Sequence, residues 1–133
     1  MKKIQDTSCP CGSPSYSACC QPFHTGQAVA PDAQALMKSR YSAYALGLDG
    51  YVSRTWHPST RPAELNLAAE QGQGRWIGLD VRQARLTGEN KAEVEFVARY
   101  KPKVGAATRL HERSRFVREE RQWFYVDGDL YES

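Results

Sequence analysis

The chain has 133 residues, 41% of them hydrophobic and 25% charged, the composition of one soluble globular domain with room for a small appendage. Its net charge is +3, and the surplus lies in residues 75–121, where 12 Lys/Arg face 7 Asp/Glu and most arginines alternate with apolar positions as on a solvated strand face, which argues against a nucleic-acid partner. No apolar run approaches the ~18 residues of a membrane span, and Met1 to Asp6 turn polar too soon for a secretory leader, so the expected address is the cytoplasm.

All four cysteines fall within twelve residues, as Cys9-Pro10-Cys11-Gly12-Ser13 and then Cys19-Cys20. Two disulfides here would need an oxidising compartment and would close loops too short to gain much stability. Four thiolates converging on one soft cation suit a reducing cytosol, and a tetrahedral all-thiolate site takes zinc or iron. Pro10 fixes φ between the first two ligands, and Gly12 permits the turn that follows. The amides of Gly12 and Ser13 are expected to donate to thiolates, and Lys2 and Lys3 to offset the net negative charge of the site. From Thr7 to His24 only Tyr16 and Phe23 are sizeable apolar side chains, so the metal must supply the folding energy of this segment. Adjacent cysteines diverge unless the backbone bends, so His24 stands as a substitute for Cys20, with Cys20 preferred.

Pro31 and Asp32 open a helix, with Asp32 as N-cap, and Ala33, Leu36, Met37, Tyr41 and Tyr44 recur at helical spacing until Gly47 and Gly50 stop it. Asp49 is expected to cap a second, short helix carrying Tyr51, Val52, Thr55 and Trp56, ended by His57-Pro58. A further turn or two is expected between Glu64 and Glu70.

From Trp76 the period changes to two. Ile77, Leu79 and Val81 give way to Ala84 and Leu86 on the opposite parity, which predicts a bulge near Gln83. After a turn at Gly88-Glu89-Asn90, the residues Ala92 to Tyr100 alternate cleanly as a second strand. Thr108 to Arg118 forms a third, Glu119-Glu120-Arg121 turns, and Gln122 to Asp127 forms a fourth. Helices followed by an antiparallel meander read as an α+β domain. The metal knuckle is placed at residues 1–26 and the α+β domain at 31–131, and the two are expected to be separable.

Cys9-Pro10-Cys11-Gly12-Ser13 followed by Cys19-Cys20 resembles the SEC-C motif, known from the carboxyl end of the SecA motor, where it binds zinc and contacts the chaperone SecB. Seven residues separate Cys11 from Cys19 where SecA has eight, and Cys20 stands where SecA has His, so the resemblance implies metal binding rather than that partner. The stretches Leu36 to Ala45, Thr55-Trp56-His57-Pro58 and His111 to Phe116, with Trp123 and Tyr125, are similar to the YchJ-like family of bacterial proteins. That resemblance implies an NTF2-like cone, with helices packed on a curved antiparallel sheet, behind a SEC-C knuckle.

Such a cone has a mouth, and its candidate lining is Arg40, Tyr41, Trp56, His57, Glu112 and Ser114, together with Tyr44, Trp76 and His111. On the third strand Leu110, Glu112, Ser114 and Phe116 share one face, so if Phe116 faces the core, Glu112 and Ser114 do too. An inward carboxylate must be paired, protonated or used, and an ion pair between Glu112 and Arg40 or another arginine is the expected outcome. His57 reads as a helix-end residue rather than a catalyst. Tyr41, Tyr44 and the tryptophans read mainly as core.

No phosphate-binding glycine loop and no familiar hydrolytic signature is present, so the sequence leans away from an enzyme. It favours a zinc-binding interaction protein whose knuckle docks to a protein or ribonucleoprotein partner. The other reading is a small-molecule-binding protein or enzyme that uses the cone, with the metal structural only.

Overall fold

A computed structural model describes residues 7–65, 67 and 72–131. The elements are α1 (Gln21–His24), α2 (Ala33–Leu46), α3 (Asp49–Arg54), β1 (Gly74–Gly88), β2 (Lys91–Pro102), β3 (Thr108–Glu119) and β4 (Gln122–Tyr131). The strands form one antiparallel sheet in the order β1-β2-β3-β4, the α+β arrangement that the periodicity predicts. Lys2, Lys3 and much of the turn expected at Glu64 to Glu70 lie outside the described residues.

α2 starts where Asp32 Oδ1 accepts the Ala35 amide at 2.8 Å and stops where Gly47 turns left-handed, at φ 75°. α3 departs from expectation, because Leu48 holds the cap position and Asp49 lies in the first turn. The Asp49 charge still favours the helix start, but its Oδ2 accepts the Leu67 amide (3.3 Å) and so secures the segment beyond α3.

β1 is a single strand of 15 residues whose pairing with β2 slips at Trp76/Gly78, Val81/Gln83 and Leu86/Gly88. The middle slip is the bulge that the parity switch predicts, and each slip adds bend and twist to the sheet. Between β3 and β4 the two turn residues, Glu120 and Arg121, both take positive φ (50° and 69°), which lets the hairpin keep its right-handed twist. β4 continues past its expected end at Asp127, because Asp127 and Asp129 pair across the strand with Arg115 at 2.6 and 2.8 Å.

α2 lies across the sheet, against β1, β2 and β4. Leu36, Met37 and Tyr41 pack there with Val94, Phe96, Phe116 and Trp123 in the main core. A second cluster joins Ala43 of α2 to Tyr51 and Val52 of α3 and to Leu67, and Phe23 of α1 touches both clusters. No helix among the described residues is long and apolar enough to cross a membrane.

Candidate functional site

The four cysteines come together. Their Sγ atoms all lie within 4.8 Å of one another, with Cys11–Cys19 at 3.5 Å, Cys19–Cys20 at 3.8 Å and Cys11–Cys20 at 3.9 Å. A disulfide sulfur pair would stand at ~2.05 Å, and all four thiols are free. A tetrahedron of sulfurs each ~2.3 Å from a central zinc has edges of ~3.8 Å, so the donor set fits one tetrahedral thiophilic cation. The bend that Cys19-Cys20 requires is supplied by turns, with the Cys19 and Gln21 amides both donating to the Tyr16 carbonyl (3.0 and 3.1 Å).

The surroundings of the sulfurs are polar in a specific way. Ser42, fully buried on α2, places its hydroxyl 3.4 Å from Cys9 Sγ and 3.3 Å from Cys20 Sγ. The Ser13 hydroxyl donates to the Ser15 carbonyl (3.4 Å) and accepts the Ser15 amide (3.3 Å), closing the loop between the two cysteine pairs. The Gly12 amide does not serve the thiolates as expected; it closes a turn onto the Cys9 carbonyl (2.9 Å), with Gly12 at φ 114°. The Cys20 thiol donates to Cys11 and, with that proton, pulls the Cys11 thiol down to about 4, while Cys20 itself is pushed up. A bound cation would favour the thiolate form of all four cysteines, with release of their protons.

His24 is turned away from the cluster and spent elsewhere. Its Nε2 donates to the Ser39 carbonyl (2.8 Å), which leaves Nδ1 to accept from the Tyr16 hydroxyl (2.6 Å). Burial lowers the His24 pKa and keeps the ring neutral. The ring also packs edge-on against Tyr51, whose hydroxyl donates to Ser39 Oγ (2.7 Å). Arg54 covers the Tyr51 ring and donates to the Phe23 and His24 carbonyls that end α1. The knuckle is thus tied to α2 and α3 by hydroxyls and an imidazole, with Phe23 as its main apolar anchor. Sequence reasoning missed Ser39 and Ser42, although two small polar residues three apart on an apolar-rich helix mark a stripe that some other element must cover.

A cavity of about 280 Å³ opens between α2 and the sheet. Arg40 and Tyr41 of α2, Trp56 after α3, Glu112 and Ser114 of β3, and Tyr125 of β4 all line it, so five of the six expected residues converge. Tyr44 and Trp76 line it as well, as walls rather than core filling. His57 does not. Its backbone amide donates to the Tyr125 carbonyl (2.7 Å), and its ring is held outside by Glu119 (3.0 Å) and Ser59 (2.8 Å), because the β-bridge between Trp56 and Tyr125 turns the next side chain away. His111 is also outside the lining, on the opposite face of β3 from Glu112, where it meets Glu95 at 2.7 Å.

Within the cavity the expected ion pair is not made. Both Arg40 NH1 bonds go to α3 and its end, to the Val52 carbonyl (2.9 Å) and Thr55 Oγ1 (2.7 Å), while the guanidinium lies over the Trp56 and Tyr125 rings (5.2 and 4.7 Å). Glu112 Oε2 instead accepts from the Ser114 hydroxyl (2.7 Å) and the Tyr125 hydroxyl (3.0 Å). Burial lowers the Arg40 pKa, opposed by the neighbouring tyrosines and Glu112, and burial together with the Glu112 charge pushes Tyr125 well above the usual tyrosine range. Gly128 makes this possible, because a Cβ there would run into the Glu112 carboxylate.

The family described as "YchJ, middle NTF2-like domain" matches residues 32–128. A UPF0225 protein of Polaromonas naphthalenivorans is 51% identical over 94% of this chain and 98% of its own length. Another, from Methylibium petroleiphilum, is 56% identical over 92% of this chain and 88% of its own. Among solved structures, a SEC-C motif containing protein from Rhodopseudomonas palustris superimposes with a TM-score of 0.82 at 30% identity, covering 94% of this chain and 99% of that one. A sec-c motif containing protein from Psychrobacter arcticus gives 0.77 at 29% identity, covering 95% of this chain and 84% of its own.

Proposed function

The chain belongs to the YchJ family, with an NTF2-like cone behind a SEC-C-type cysteine cluster, and from that premise we propose that it is a zinc-stapled protein whose cone binds a small organic molecule. Cys9, Cys11, Cys19 and Cys20 would hold the zinc in a closed structural site, with no position left for substrate. A reducing cytosol is the compartment that keeps four such thiols available. The observation that carries the cone reading is the cavity itself, in which a buried cation, Arg40 (5% exposed), and a carboxylate, Glu112, share an aromatic-walled space without contacting each other. Charges placed this way are costly to the fold, so they favour a ligand role over a purely structural one.

The docking reading keeps one supporting observation, the exposure of Gly12, Pro14, Ser17 and Ala18 on the side of the knuckle away from α2. Against it, Cys9 and Cys20 are 3% and 1% exposed and the knuckle is already engaged with α2 and α3. Elemental analysis of protein purified without added metal is expected to give one zinc per chain; near-stoichiometric iron would change the metal, and metal-free disulfides would overturn the site. A small-fragment screen followed by amide and indole NMR is expected to shift Trp56 and Trp76. Shifts confined to residues 9–24 on adding a cell extract, with a cone that answers no fragment, would move the function to the knuckle.

A further inference from the structure

The class of ligand can be read from what the cavity has left to offer, granted that the cone is a ligand site. Two opposite formal charges face it, Arg40 and Glu112, and their nearest bonds are already spent: NH1 of Arg40 on Val52 and Thr55, Oε2 of Glu112 on Ser114 and Tyr125. No hydrogen bond from the described residues reaches the Nε and NH2 donors of Arg40 or the Oε1 acceptor of Glu112. The unspent capacity is therefore a cationic donor edge, an anionic acceptor and the unpartnered Tyr41 hydroxyl in one space.

We infer that the cone takes a neutral, flat, bicyclic aromatic molecule carrying one hydrogen-bond acceptor and one N–H or O–H donor, the acceptor for Arg40 and the donor for Glu112. Neutrality follows from the charge balance. A net anion would face Glu112 and a net cation Arg40, each leaving one charge uncompensated between largely aromatic walls. Flatness follows from those walls, with Trp56 edge-on to Tyr125 at 5.1 Å and Trp76 edge-on to Tyr41 at 5.7 Å. Size follows from the volume, since a dry cavity of about 150 Å³ accommodates one benzene ring and this one, at about 280 Å³, is roughly twice that. The hydroxyls of Ser114 and Tyr125 give their protons to Oε2, so they hold the carboxylate in place for a donor from the ligand and do not compete with it at Oε1.

Three probes of matched shape separate the alternatives on the full, metal-loaded chain: 2-quinolone (neutral, lactam donor and acceptor), 2-naphthoate (anion) and protonated 2-naphthylmethylamine (cation). Titration calorimetry, with the indole N–H signals as locator, is expected to show 2-quinolone binding at least about tenfold tighter than either charged probe. Trp56 and Trp76 are expected to shift and the core residue Trp123 to stay still. Glu112→Gln is expected to weaken 2-quinolone roughly fivefold or more while bringing 2-naphthoate closer to it. Tighter binding of a charged probe would overturn the neutral class and leave the cone as a ligand site. An unchanged 2-quinolone affinity in Glu112→Gln would overturn the donor–acceptor pairing, and failure of all three probes to move Trp56 or Trp76 would overturn this inference together with the cone reading.

Discussion

The knuckle and the cone reach order by different physics, and α2 serves both. Residues 7–24 have almost no apolar bulk and are organised by four sulfurs, reverse turns and a chain of hydroxyls and imidazole running from Tyr16 through His24 and Ser39 to Tyr51. The cone is organised by hydrophobic burial of alternating strand residues under one amphipathic helix. Ser39 and Ser42 of α2 face the knuckle, while Met37, Arg40 and Tyr41 face the cavity. A single helix can do this because residues three or four apart share a side, which puts Ser39 and Ser42 on one flank and Met37, Arg40 and Tyr41 on another. What the difference teaches is that a segment poor in apolar bulk can be held against a strong core when one helix offers it a polar stripe.

Removing the metal is the strongest test of that contrast. A tight chelator is expected to abolish amide protection across residues 7–24, since metal binding supplies on the order of 10 kcal/mol to such a segment, while β2 and β3 keep theirs in hydrogen exchange. Loss of protection in β2 and β3 at the same chelator concentration would break the comparison and make the two regions one folding unit. Deletion of residues 1–26 sharpens it further. The remaining chain is expected to fold cooperatively but with about 3 kcal/mol less stability in urea, because Phe23 leaves both apolar clusters.

A substitution inside the cone comes next in size. Arg40→Ala removes the buried donor to Val52 and Thr55, so a loss of about 3 kcal/mol is expected in denaturant melts, with metal content unchanged. Loss of metal in that variant would show that α2 transmits strain from one face to the other. On the opposite face, Ser42→Ala is expected to weaken metal retention against a competing chelator by roughly tenfold and leave the fluorescence of the cone as it was, since the hydroxyl lies against Cys9 and Cys20 and not in the cavity. The smallest effect is expected for Glu112→Gln. An amide oxygen can still accept from Ser114 and Tyr125, so the cost in a urea melt should be about 1 kcal/mol. A loss nearer 3 kcal/mol would mean that Glu112 carries the burden of balancing Arg40 across the cavity.

Local rules made much of this molecule legible. Asp32 and Gly47 bound α2 because a side-chain acceptor and a left-handed residue are chemistry that a helix end needs, whatever surrounds it. The bulge at Val81/Gln83 was visible because a side chain's face is set by parity, and the parity changes there. The cysteine cluster was readable because four thiols within twelve residues are spaced closely enough to converge on one soft cation. The inward face of β3 was equally plain, since Phe116 carries Ser114 and Glu112 with it.

Pairing across long sequence separations was decided only by the tertiary structure. Ser42 reaches sulfurs 33 and 22 residues away, a contact for which no local pattern selects. Charge alone predicted that Glu112 and Arg40 would meet, yet each found a nearer partner: α3 brings the Val52 carbonyl to Arg40, and the hairpin brings Tyr125 to Glu112. β4 outran its apolar pattern because its last pairs are ionic, between Asp127, Asp129 and Arg115, and depend on register rather than hydrophobicity. His57 left the mouth for the same kind of reason, a bridge between Trp56 and Tyr125 fixing which side chain turns inward. Sequence determines which groups must be satisfied, through caps, parity and ligand chemistry; which partner satisfies each one depends on distances in three dimensions, and those exist only once the helix has crossed the sheet.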